Sequence, residues 1–228
     1  MTAQPQDQIT KFWSMVAPGY EDHGGNVAEP GTDAYRRWLD AVGAVLPGAP
    51  CDVLDLATGT GFLALIAAEL GHRVTGIDLS PQMLSVAERS ARERGLDLRF
   101  APGDAVAPEV DPHSADVVTN RHLLWTLREP ETAMANWRRI LRPGGMVLSV
   151  DGFWFAHEGP KDPDHPDVFD QHYSPETRAA LPFMPLDDTG PIVEAFGRAG
   201  YADVRAEHLP ALTNVNAGAT PYLIVARP

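Results

Sequence analysis

Residues 53–65 read "VLDLATGTGFLAL". An apolar run carrying one carboxylate, Asp55, enters the turn "ATGTG", and an apolar stretch of helical length follows. Gly59 and Gly61 let the backbone turn tightly and approach a ligand, and the helix beyond offers unpaired N–H groups to it. Strand, glycine turn and helix form the first unit of a mostly parallel α/β sheet, with a ligand at the carboxyl edge of its strands.

The same alternation continues outward. The first strand is read as "CDVLDLA" (51–57) and its helix as 61–70. "HRVTGID" (72–78) is a second strand, after which Ser80 caps a helix that has Pro81 at its first position and runs to about Arg94. "DLRFA" (97–101) and "ADVVTN" (115–120) are further strands. Pro130 opens the helix "ETAMANWRRIL", and the turn "RPGG" starts the strand "GGMVLSV" (144–150). "PIVEAFGRAG" (191–200) reads as a helix, with strands over 202–209 and 221–228. Ahead of this unit, residues 7–46 read as two helices around the joint "EDHGGN". Residues 152–190, rich in Pro, Asp and His, read as a mobile cap or loop.

Bulk properties narrow the function. The chain of 228 residues fits one domain, 1–228, and its net charge of −13 opposes a nucleic-acid partner. One cysteine, Cys51, leaves no internal disulfide framework and suits a reducing compartment. No apolar leader core and no run near the roughly 20 apolar residues of a membrane span is present, so a cytoplasmic protein is expected.

The ligand is argued from the turn. Gly59-x-Gly61-x-x-Ala64 also fits a dinucleotide fingerprint, with Asp78 as the ribose acid, which keeps an NAD-dependent oxidoreductase in contention. Asp55 weighs against it, because a pyrophosphate beside that carboxylate would meet like charge in a poorly solvated crevice. A ligand bearing an ammonium gains a partner there. S-adenosylmethionine carries ammonium, carboxylate, ribose and adenine, and no phosphate.

Five segments in series, "VLDLATGTG", "VTGIDLSPQML", "APGDA" (101–105), "ADVVTNRHLLWTL" and "LRPGGMVLSV", resemble those of class I (seven-stranded, Rossmann-like) S-adenosylmethionine-dependent methyltransferases of the small-molecule type. The resemblance covers 53–150 and departs at Ala57, where the family usually has glycine. It implies a three-layer α/β sandwich with a seven-stranded, mostly parallel sheet, the last strand antiparallel, and a helical lid over 1–46. Asp55, Ala57, Thr58, Gly59 and Gly61 would surround the methionine moiety of the donor, and Asp78 would hold the ribose. Leu79 and Met83 would pack on the adenine, with Asp104 and Ala105 at its edge. Asn120 would meet the methionyl end, and Tyr20 of the lid would close over the donor.

The acceptor, by the same resemblance, lies over the ends of strands four and five. Arg121 and His122 end strand four, Asp151 and Trp154 end strand five, and Trp13, Tyr20 and His23 lie in the lid. His122 is read as a general base or orienting group, its ordinary pKa being near neutral. Arg121 is read as the anchor of an anionic acceptor through its fork of donors. The plainer alternatives are an ion pair for Arg121 and a hydrogen-bonded turn for His122. Leu123, Leu124 and Trp125 are read as core or pocket wall. His157, Asp164, His165, Asp170 and His172 lack helical ligand spacing and sit among prolines, so no metal is expected. The expected function is methyl transfer to an O or N nucleophile of a small molecule, yielding S-adenosylhomocysteine, by a monomer or homodimer. C-methylation of a quinone-like ring and a donor-binding enzyme without methyl transfer are the competing readings.

Overall fold

The computed structural model describes residues 4–21, 28–48, 50–155, 168–209, 212 and 221–228. Seven strands form one sheet: β1 (Asp52–Leu56), β2 (Arg73–Asp78), β3 (Arg99–Pro102), β4 (Ala115–Arg121), β5 (Leu141–Gly152), β6 (Asp203–His208) and β7 (Pro221–Arg227). Their order is β3-β2-β1-β4-β5-β7-β6, and β7 runs antiparallel to both of its neighbours. Around it lie α1 (Pro5–Val16), α2 (Asp33–Gly43), α3 (Phe62–Glu69), α4 (Pro81–Glu93), α5 (Pro130–Ile140), α6 (Val168–His172), α7 (Pro175–Ala179) and α8 (Gly190–Arg198). The sandwich and the antiparallel last strand are as expected.

Local chemistry accounts for these elements. Val53 to Leu56 are all buried, as a central parallel strand covered on both faces requires. Phe62 to Ala67 of α3 are buried too, because the helix is packed between the sheet and α2. The Ser80 hydroxyl accepts the Met83 N–H at 3.2 Å and caps α4. One core layer joins α5 and α8 to the sheet through Trp137, Met134 and Phe196, and a second joins α2 and α3 to its other face.

Two expectations are corrected. The strand expected over 144–150 spans Leu141–Gly152, pairing with β4 from Leu141 opposite Ala115 onward through a register shift. A β-carbon on Gly145 would lie 2.7 Å from the Asp116 carbonyl oxygen, so the "PGG" segment passes along β4 where a side chain would not fit. The segment read as an irregular cap contains α6 and α7. Each is five residues long, too short to show a period, and Phe169 of α6 and Tyr173 between the two pack against Phe12 of α1 and Trp125. The joint "EDHGGN" lies outside the described residues apart from Glu21.

Candidate active site

The glycine turn is built on left-handed backbone at Ala57 (φ 50°), Gly59 (φ 58°) and Gly61 (φ 90°). Two carboxylates fix it. Asp55, 2% exposed, accepts the Thr119 hydroxyl on one oxygen and the Thr58 hydroxyl on the other, both at 2.6 Å. Burial outweighs these two donors and pushes its pKa up to about 6. Asp78 accepts the Gly59 N–H at 2.9 Å and the Ser80 N–H at 2.8 Å, tying the turn to the start of α4. Burial raises its pKa as well.

A cavity of about 1010 Å³, its open mouth included, runs from this turn to the end of β4. Thr58, Gly59, Asp78, Leu79, Met83, Asp104 and Ala105 line it. The Asp104 carboxylate accepts the Val106 N–H at 2.8 Å, and the Ala105 carbonyl accepts the Trp137 indole N–H at 2.7 Å. Leu79 is one of few large apolar side chains left exposed, at 38%.

Arg121, the last residue of β4, and His122 and Leu123 after it line the cavity too, with Trp13 and Tyr20 of the N-terminal segment. The Arg121 guanidinium lies 4.4 Å from the Phe62 ring centre and 5.8 Å from that of Trp38. Asp55, Asp151 and the Tyr20 phenol lie within its electrostatic reach. Burial keeps the Tyr20 phenol protonated. His122 has left-handed backbone (φ 56°), and its ring stands edge-on to Trp154 at 4.7 Å. Burial, then the charge of Arg121, holds its pKa well below the usual value, so the imidazole is neutral.

Several expected residues stand apart. Asn120 is fully buried in the sheet opposite Ser149, outside the cavity wall, and its amide has no hydrogen-bond partner among the described residues. Trp125 is packed in the aromatic cluster with Tyr173, centres 5.5 Å apart, behind Trp13 rather than on the wall. Trp154 backs His122 at one remove. His23, His157, Asp164 and His165 lie outside the described residues. Asp170 pairs with Arg178, and among the described residues no group of three or more His, Cys, Asp or Glu is placed to hold a metal.

Sequence reasoning missed the rest of the lid face. Gln6, Ile9, Thr10 and Trp13 of α1 all line the cavity, and their spacing of i, i+3, i+4, i+7 is the signal that marks one helix face. The Trp13 indole donates to the Tyr173 hydroxyl at 3.0 Å, and Ser14 donates to Ser80 at 2.9 Å, so α1 is tied both to the residue that follows α6 and to the cap of α4.

Residues 54–149 match the family described as methyltransferase domain. The matched span runs from β1 to β5 of the seven-stranded sheet. The demethylmenaquinone methyltransferase of Thermus thermophilus is 38% identical over 143 residues, 61% of this chain and 64% of that protein. The chain thus spans under two thirds of that relative's length. Among solved structures, phosphoethanolamine N-methyltransferase 2 of Haemonchus contortus, in complex with S-adenosyl-L-methionine, has a TM-score of 0.71 at 21% identity, covering all of this chain and 60% of that one. The 4+2 cyclase SpnF has a TM-score of 0.68 at 21% identity over 99% and 97% of the two chains. Both structural likenesses are of fold. No described helix is long and apolar enough to cross a membrane.

Proposed function

We propose that the chain transfers a methyl group from S-adenosylmethionine to an O or N nucleophile of a small molecule in the cytoplasm. One observation carries this reading: the same cavity is lined by the acid-flanked glycine turn and by Arg121 and His122. The donor's chemistry fits the turn. A carboxylate that burial holds at a pKa of about 6, even with the charge of Arg121 and two hydroxyl donors lowering it, gains further from an ammonium group. Asp78 has lone pairs left for ribose hydroxyls, and exposed Leu79 with Met83 offers an apolar wall for adenine. When bound, S-adenosylmethionine supplies an electrophilic methyl on a positively charged sulfur.

The chain's own residues supply position and dryness. The α1 face forms part of the cavity wall, and the more of the solvent it displaces once both ligands are bound, the more it favours attack between closely held groups. Arg121 and the neutral Tyr20 phenol donate to an anionic group of the acceptor. His122, neutral and hard to protonate, accepts a hydrogen bond from the nucleophile and orients it. A base with so low a pKa retains a proton poorly, which makes orientation its better role.

A second reading, methylation of a ring carbon in a quinone-like acceptor, is supported by the printed name of the Thermus relative. The aromatic walls Trp13, Tyr20 and Phe62 suit a flat ring. Titration calorimetry with S-adenosylmethionine and with NAD tests the donor half: tight binding of the first and none of the second is expected. A tighter NAD complex would overturn it.

A further inference from the structure

Asp151 ends β5 and is wholly buried beside the strand that carries Arg121 and His122. Its carboxylate gathers donors from two places. One oxygen accepts the backbone N–H groups of Leu124 (2.8 Å) and Trp125 (3.4 Å), in the turn that follows His122. The other accepts the Gly152 N–H (2.8 Å) and the Trp154 indole N–H (2.9 Å).

His122 is caught between these two anchors. Its N–H donates to the Val150 carbonyl at 2.9 Å, and its ring rests on the same Trp154. A left-handed histidine persists only where its surroundings hold it there. A carboxylate that merely capped the turn would need only the donors of Leu124 and Trp125. The chain nevertheless makes room for the indole: a β-carbon on Gly152 would lie 2.8 Å from Trp154 Cζ2. Glycine at 152 is thus the condition for Trp154 to fold back over Asp151.

We propose that Asp151 is a positioning residue: by tying both the turn after His122 and the Trp154 indole to one buried carboxylate, it holds the His122 ring at the cavity wall. The kinetic consequence rests on the methyl-transfer reading, whereas the placement of the ring is observable without turnover.

The test uses protein carrying ¹³C-labelled histidine, with the His122 Cε1–H signal assigned by its loss in His122→Gln. Trp154→Phe keeps an aromatic ring and removes the indole donor. Gly152→Ala displaces the indole and leaves the carboxylate intact. Asp151→Asn removes the shared acceptor. All three are expected to shift the His122 signal, while the Kd for S-adenosylmethionine stays within about twofold and kcat/KM for the acceptor falls by about threefold to tenfold, no further than in His122→Gln. If Asp151→Asn fails to fold, the other two variants carry the test. An unmoved His122 signal in Trp154→Phe and Gly152→Ala, with only the melting temperature lowered, would leave Asp151 a turn cap and overturn the proposal. Absence of S-adenosylhomocysteine in the wild type would instead count against methyl transfer and leave the spectral result standing.

Discussion

The Asp55 carboxylate on β1 and the Thr119 hydroxyl on β4 meet at 2.6 Å beneath the glycine turn. With Thr58 on its second oxygen, Asp55 is held by two neutral hydroxyl donors, and the charge of Arg121 reaches it as well. Burial still leaves its pKa at about 6, so under the proposed function an arriving ammonium group would favour its ionised form.

A pH dependence follows. Asp55 in the free protein titrates near 6, and an ammonium ligand favours its ionised form, so binding expels the proton. Affinity for S-adenosylmethionine is therefore full above pH 6 and falls as pH drops below it, by about tenfold per unit. Calorimetry from pH 5 to 7.5 reads this directly. Asp55→Asn should bind more weakly and lose the slope.

Ala57 occupies a position where glycine would be unstrained. A β-carbon at φ 50° costs roughly 1–2 kcal/mol, partly offset by the extra chain entropy that glycine would lose. Ala57→Gly is expected to raise stability by up to about 1 kcal/mol, which is about 2–4 °C in Tm for a chain of this size. A fall in Tm would mean that the methyl group packs usefully.

Gly76 lies under the same turn. A β-carbon there would lie 2.8 Å from the Thr58 hydroxyl oxygen and 2.8 Å from a Phe100 ring carbon. Gly76→Ala should cost about 1–3 kcal/mol in a denaturant titration. Because the Thr58–Asp55 bond is displaced, donor affinity should weaken in the same variant.

The frame of the fold was legible because β1, β2, β4 and the helices after them show their periods plainly, and because Ser80–Pro81 announces its own helix. The acids Asp55, Asp78 and Asp104 were legible because each sits at a strand end or turn, where the direction of the chain fixes where the side chain goes. The acceptor side was harder to read. Trp125 and Trp154 look like wall residues in the sequence, but their neighbours in space are Tyr173 and Asp151, the first 48 positions along the chain from Trp125. Helices of five residues carry no period, and the share of donors at Asp151 is set by tertiary contact alone.

His122 separates two chemistries. An orienting imidazole tolerates glutamine, so His122→Gln should keep turnover within about tenfold of the wild type. Loss of a general base costs about 10²–10⁴-fold. Since burial and Arg121 keep His122 neutral well below its usual pKa, the turnover profile should show no rising limb from this residue between pH 6 and 7. Such a limb, lost in the glutamine variant, would restore the base role.

The central claim is methyl transfer itself, and trideuteromethyl-labelled S-adenosylmethionine tests it most directly. The protein is incubated with the labelled donor and a set of demethylated naphthoquinols, phenols and amines, and both products are read by mass spectrometry. Transfer of the label to one acceptor, with S-adenosylhomocysteine formed in equal amount, is the predicted result. Conversion of an acceptor while the labelled donor remains whole would contradict the account and leave a donor-binding enzyme of another kind.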